Sequence, residues 1–180
     1  MRSKSNKSSF DNMTLGELAV KLNSMLKALP KQEKVDKKRI YFAAPWFTDK
    51  AKALYNYCRE VDAFADELNK YAIFYPMCMD VCSPEQAFTG DVTEILACDV
   101  LIALVDDKDI GTAWEIGMAY ALGKPIYLMG FDESTFEKRT NLMLAFSGKC
   151  FTVDKLYKFL TCGLEEDEFV NIEKKWEVLE

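Results

Sequence analysis

Six consecutive apolar residues, Val100-Leu101-Ile102-Ala103-Leu104-Val105, constrain this chain more than any other stretch. A strand with one face in water alternates apolar and polar residues. A run without alternation reads as a strand covered on both faces, which is the habit of parallel sheets. Acids follow the run at Asp106, Asp107 and Asp109, and Gly111-Thr112 then opens a helix with Glu115 read in its first turn. An acidic loop after a buried strand, facing a helix start, is where open α/β sheets place their ligands.

Further strands are expected at Ile40-Tyr41-Phe42-Ala43-Ala44, Ala72-Ile73-Phe74-Tyr75, Pro125-Ile126-Tyr127-Leu128-Met129 and Lys149-Cys150-Phe151. Between them the spacing predicts a helix from an N-cap at Thr48 to about Asn69 and a short helix over 91–97. The helix begun at Gly111 should end at a C-cap glycine, Gly123. Helical segments are also expected at 141–146 and 153–164. Strands alternating with helices imply an α/β fold: a doubly wound, flavodoxin- or Rossmann-like parallel sheet of about five strands with helices on both faces. Residues 39–164 would form this domain. Residues 1–38 would be an N-terminal extension, disordered at its start, with a capping-box helix over 14–28 (Thr14 and Glu17). Residues 165–180 form an acidic tail whose Phe169, Ile172, Trp176 and Leu179 suggest a packed terminal helix.

Composition narrows the chemistry. The chain of 180 residues contains no histidine. That removes Ser-His-Asp and Cys-His nucleophile pairs and makes an ordinary zinc site an unlikely use of the six cysteines. Those cysteines, at 58, 78, 82, 98, 150 and 162, read as reduced thiols. The net charge of −6 argues against a nucleic-acid partner. No apolar run reaches the roughly 20 residues that cross a bilayer, and the basic N-terminus lacks the apolar core of a signal peptide. A cytoplasmic location is therefore expected, with no membrane partner, no metal and no cofactor. There is no G-x-G-x-x-G after the first strand and no P-loop sequence.

Catalysis would then fall to carboxylates, Tyr, Lys or Cys. Glu115 can be read as an acid that favours its helix dipole, worth roughly 0.3–1 kcal/mol. Its neighbours Ala113, Trp114, Ile116, Gly117, Ala119 and Tyr120 make the helix apolar on more than one face, so Glu115 should be at least half buried. A buried carboxylate needs partners or a task. Asp91 reads either as an N-cap or as a second working acid. Asp106 and Asp107 fit a solvated turn. Asp109 leads the loop into the helix. Tyr41 lies on the first strand, and its hydroxyl needs a partner if buried. Two carboxylates around one sugar carbon form a glycosyl-transfer site, one as nucleophile and one as proton donor, with neither metal nor histidine required.

Three stretches carry a family likeness: Ile40-Tyr41-Phe42-Ala43-Ala44-Pro45-Trp46-Phe47-Thr48-Asp49, the D-I-G-T-A-W-E-I-G-M-A-Y-A run that starts at Asp109, and Asn141-Leu142-Met143. Together they resemble the nucleoside 2-deoxyribosyltransferases over roughly 39–151. The resemblance implies transfer of 2-deoxyribose between nucleobases, with small-molecule deoxynucleosides and nucleobases as partners. Glu115 matches the nucleophile, Asp91 the acid that protonates the departing base, and Tyr41 the tyrosine that positions the nucleophile. Asp109 matches a carboxylate that holds the nucleoside, and Phe47 and Trp46 match pocket aromatics. Asn141 and Met143 match residues that reach a neighbouring subunit's site, which implies a homo-oligomer built from dimers, typically a hexamer. Two other readings stay open. One is an N-glycosidase of deoxynucleoside 5′-monophosphates, which shares the Glu-containing segment. The other is a catalytically silent nucleotide-binding module.

Overall fold

The computed structural model describes residues 37–65, 71–80, 83–136 and 141–172, without the side chains of 61–65. The expected helix over 14–28 lies outside the described residues. Five strands form one sheet: β1 (Lys38–Ala43), β2 (Tyr71–Phe74), β3 (Val100–Leu104), β4 (Ile126–Gly130) and β5 (Lys149–Thr152). Their spatial order is β2-β1-β3-β4-β5, and every pairing is parallel. The helices are α1 (Asp49–Ala65), α2 (Pro84–Ala97), α3 (Ile110–Ala121), α4 (Leu142–Ala145) and α5 (Leu156–Thr161). This is the doubly wound α/β arrangement that the sequence implied.

All five residues of β3 are buried, as the uninterrupted apolar run requires. Alternation along each strand sorts side chains between two cores. On one face Tyr41, Ala43, Leu101, Ala103, Ile126, Leu128 and Cys150 meet Val92, Ile95 and Leu96 of α2 and Ile116, Met118 and Ala119 of α3. On the other face Ile40, Phe42, Ile102, Leu104, Met129 and Phe151 meet Ala51, Leu54 and Cys58 of α1 and Leu156, Phe159 and Leu160 of α5. The strand order turns between β1 and β3, because β1 is followed outward by β2 and β3 by β4. The C-terminal ends of those two strands are where a fold of this kind holds its ligand.

Several local expectations are corrected. The helix expected over 91–97 spans Pro84–Ala97. Ser83 caps it, accepting from Gln86 N at 3.2 Å, and Pro84 occupies its first turn, where no backbone donor is needed. Asp91 therefore lies inside the helix and does not cap it. Helix α3 begins at Ile110 with Asp109 as its N-cap, which moves Glu115 from the first turn to the second. Gly123 does terminate α3, at φ +66° and with its N–H donated to Tyr120 O. The segment expected to be helical over 153–164 is a 3-10 turn followed by the short α5. The tail begins with a 3-10 turn at Glu166–Glu168, and Val170 then pairs antiparallel with Cys150 on the edge of β5. Val170 and Ile172 are buried there, while Trp176 and Leu179 lie outside the described residues.

Candidate active site

Three side chains from three elements meet at the switch point. Tyr41 lies on β1 and faces the core shared with α2 and α3, fully buried. Its hydroxyl donates to Glu115 Oε1 at 2.5 Å. The strand thus meets the need for a phenol partner by aiming it at a carboxylate on the second turn of α3. Phe74 stacks on the Tyr41 ring, centroids 5.7 Å apart, and holds it in place. Asp91 on α2 interacts with the same hydroxyl, which lowers the cost of its charge.

The electrostatics follow from this burial. Desolvation pushes the Glu115 carboxyl up to about 7; the negative charges of Asp91 and Asp109 push the same way, and the Tyr41 hydrogen bond opposes them. Asp91 is also raised above the ordinary carboxylate range, first by burial, with Tyr41 opposing. Its Oδ1 is buried without a hydrogen-bond partner among the described residues. A buried, unpaired carboxylate oxygen is costly as an anion and much cheaper when protonated. Tyr41 is held far above its normal value, by burial first and then by Glu115 and Asp91, so it remains a neutral donor. Burial raises both carboxyls and the Tyr41 hydroxyl opposes the rise at each, so two protonatable carboxyls gather around one phenol, the pair of groups that a nucleophile and a general acid require.

The other candidate residues lie around this centre in different roles. Asp109 Oδ2 accepts from Thr112 N at 2.7 Å and from Thr112 Oγ1 at 3.0 Å, so it caps α3 while its charge acts on Glu115. Phe47 stands in the loop after β1 and is 72% exposed. Trp46 is not brought to the carboxylates. It packs in the opposite core with Phe42, Tyr55 and Tyr75, because the chain turns after Ala43 and sends the indole under α1. Asn141 caps α4 by accepting from Met143 N at 2.9 Å, and Met143 itself is 79% exposed.

Asp106 departs from the expected solvated turn. Its carboxylate accepts from Phe131 N at 3.0 Å and from Thr135 Oγ1 at 2.5 Å, joining the end of β3 to the loop after β4. Asp107 is exposed and accepts from Thr48 Oγ1 at 3.2 Å. Sequence reasoning also missed the contact between Phe88 on α2 and Trp114 on α3, whose rings lie 5.5 Å apart. The Ser83-Pro84 pair is the signal that could have revealed it, since it starts α2 early enough to make Phe88 helical.

Comparison with known proteins agrees with this geometry. The family model described as nucleoside 2-deoxyribosyltransferase matches residues 40–149. No curated protein sequence matches the chain. Among solved structures, the chain is similar to the 2-deoxyribosyltransferase of Bacillus psychrosaccharolyticus, with 23% identity and a TM-score of 0.54 over 72% of this chain and 93% of that one. It is similar to the 2-desoxiribosyltransferase of Leishmania mexicana at 24% identity and a TM-score of 0.54, covering 71% of this chain and 99% of that one. The CMP N-glycosidase BcmB of Clostridium botulinum is similar at 23% identity and a TM-score of 0.50, covering 71% of this chain and all of that one. At these identities the solved structures speak to the fold. The family model spans more than half of the chain, from β1 to the first residue of β5, and includes Tyr41, Asp91 and Glu115; the chain belongs to the nucleoside 2-deoxyribosyltransferase family.

Proposed function

We propose that the protein moves 2-deoxyribose between nucleobases by double displacement through a deoxyribosyl ester on Glu115. The observation that carries the reading is the Tyr41 hydroxyl bonded to a buried Glu115, with the Asp91 carboxyl, one oxygen of which is buried and unpaired among the described residues, acting on the same phenol. In the first half, a Glu115 carboxylate oxygen attacks C1′ of the sugar. The electron pair of the C1′–N bond leaves with the base, and the Asp91 carboxyl gives its proton to that base. Glu115 is then an uncharged ester and Asp91 a carboxylate. In the second half, Asp91 takes a proton from an incoming base, whose nitrogen attacks C1′ and returns Glu115 to its carboxylate. In this reading Asp109 holds the nucleoside near the nucleophile, and Phe47 covers the base.

The reading includes a nucleoside-salvage role in the cytoplasm and a homo-oligomer in which Asn141 and Met143 reach a neighbouring subunit's site. Leu142, Met143 and Phe146 support the last point, since all three apolar side chains are more than half exposed on one short helix. Light scattering on the full chain should return a multiple of the 20.6 kDa monomer; a monomer at working concentration removes this part of the proposal.

The activity test is incubation with 2′-deoxyinosine, with and without adenine, followed by chromatography. Base exchange that requires the acceptor is the expected outcome. Free base released from a deoxynucleoside 5′-monophosphate, with no exchange, would make the protein an N-glycosidase. Binding without turnover would make it a silent module.

A further inference from the structure

Asp91 has no hydrogen-bond partner among the described residues on its buried Oδ1, so no donor fixes that oxygen. Its position is set by α2. The lower turns of α2 are anchored by Val92, Ile95 and Leu96 in the core beneath Tyr41. Its upper turn reaches α3 through Phe88, one turn before Val92 on the same stripe of the helix. Phe88 meets Trp114, the residue immediately before Glu115, with ring centroids 5.5 Å apart and planes tilted by 48°. The two helices that carry the acid and the nucleophile are therefore joined by an aromatic contact at the level of the site. Phe88 is 37% exposed and Trp114 43% exposed, so more than half of each residue's surface is covered although neither belongs to the core.

We propose that Phe88 and Trp114 act together as positioning residues: their ring contact braces α2 against α3, fixes the separation of the Asp91 and Glu115 carboxyls, and keeps water out of the cleft between them. This rests on the reading of Asp91 and Glu115 as acid and nucleophile. Neither ring has to touch the sugar. The groups that face Glu115 are Tyr41 from β1, Asp91 from α2 and Asp109 at the start of its own helix. The β3 side chains on that face, Leu101 and Ala103, are apolar, and so is Val105 just after the strand. With so few charged neighbours, the separation of α2 from α3 sets both the solvent access of Glu115 and its repulsion from Asp91. Loosening the brace admits water and widens the gap, and both changes ease ionisation of Glu115.

The test uses Phe88→Ala, Trp114→Ala, the double variant, and the conservative Phe88→Tyr and Trp114→Phe. Each alanine variant should lower kcat for base exchange by about tenfold or more while KM stays within about twofold, because misplaced catalytic groups slow the chemical step. The double variant should be no slower than the slower single one, since both changes break the same contact. The conservative variants should recover most of the rate. Carbon-13 NMR of the Glu115 carboxyl, in protein of unchanged far-UV circular dichroism, should show its titration midpoint falling by at least about half a pH unit in either alanine variant. An unmoved midpoint, additive rate losses, or a raised KM with kcat intact would overturn the brace; the last would make the rings part of the substrate site. The NMR arm needs no turnover. If the wild type exchanges no base but the midpoint still falls in the variants, the brace stands and the deoxyribosyl-transfer reading fails.

Discussion

Asp91, inside α2, and Asp106, just past the end of β3, are both half-buried acids, and both carboxyls are raised above the ordinary range by burial first. They differ in what surrounds them. Asp106 receives a backbone N–H from Phe131 and a hydroxyl from Thr135, and it thereby ties two loops together. Asp91 has one oxygen sealed away with no donor and shares the Tyr41 phenol with Glu115. A satisfied buried acid maintains structure. An unsatisfied one costs stability in its charged form, and that cost is tolerable where the group must carry and release a proton. Pocket position alone would not separate the two; the donors do.

The largest effect should come from Glu115, the partner that shares Asp91's phenol. Glu115→Ala should reduce base exchange by at least about 10³-fold, since without the nucleophile no ester forms. Mass spectrometry of the wild type quenched during turnover should find the sugar on Glu115 and nowhere else. Exchange by the alanine variant within tenfold of wild type would sink the assignment.

Glu115 should also shape stability through its charge. Its carboxyl moves from the usual 4.5 to about 7 on folding. Below pH 4.5 both folded and unfolded chains are protonated there, and the group costs nothing. Between the two values the folded chain holds a proton that the unfolded chain has lost, so stability falls as pH rises. Above 7 the full cost, on the order of 3 kcal/mol, remains. Glu115→Gln removes the charge and keeps the shape. Denaturant unfolding should find it more stable than wild type at pH 8 and equal to it near pH 4. Equal stability at both would show that the carboxyl is not buried in solution.

Asp91→Asn keeps volume and polarity but has no proton to give. Loss of a general acid costs about 10²-fold or more. The loss should be greatest for bases that leave poorly without protonation and smaller for good leaving groups. A uniform loss across leaving groups would return Asp91 to a structural role like that of Asp106.

Much of this contrast is legible in the amino-acid sequence. The run Val100 to Val105 has no polar residue to offer to solvent, so it could only be an inner strand, and it is buried throughout. The absence of histidine makes carboxylates the leading choice of acid and base, and the apolar faces of α3 imply that Glu115 is enclosed. Tyr41, on an apolar strand, is a phenol in want of a partner, and Glu115 is that partner. Other features are hidden for identifiable reasons. Asp106 reads as solvated because its donors, Phe131 and Thr135, lie 25 and 29 residues away, beyond the reach of any local pattern. Trp46 reads as a pocket aromatic because its loop follows β1, but which core an indole enters after a turn depends on backbone direction, which adjacency does not encode. Glu115 falls in the second turn of α3 because the helix begins at Ile110, with Asp109 as its cap, rather than at Gly111.

The smallest effect, and the sharpest check on the comparison, belongs to Asp106. Asp106→Ala deletes the acceptor of Phe131 N–H and of the Thr135 hydroxyl and leaves a partly buried backbone donor without its partner, which costs about 1–3 kcal/mol. Asp106→Asn keeps one acceptor oxygen and also removes a charge that burial disfavours, so at pH 8 it should cost less than the alanine variant. Neither change should slow base exchange by more than about tenfold at temperatures where the variant is folded, because the acid holds loops rather than the reacting carbon. A Tm that falls while kcat holds keeps Asp106 on the structural side of the contrast. A kcat that collapses with the fold intact would mean that the tie between β3 and the β4 loop sets the geometry of the site. Satisfied hydrogen bonding would then no longer distinguish an acid that holds the fold from one that does chemistry.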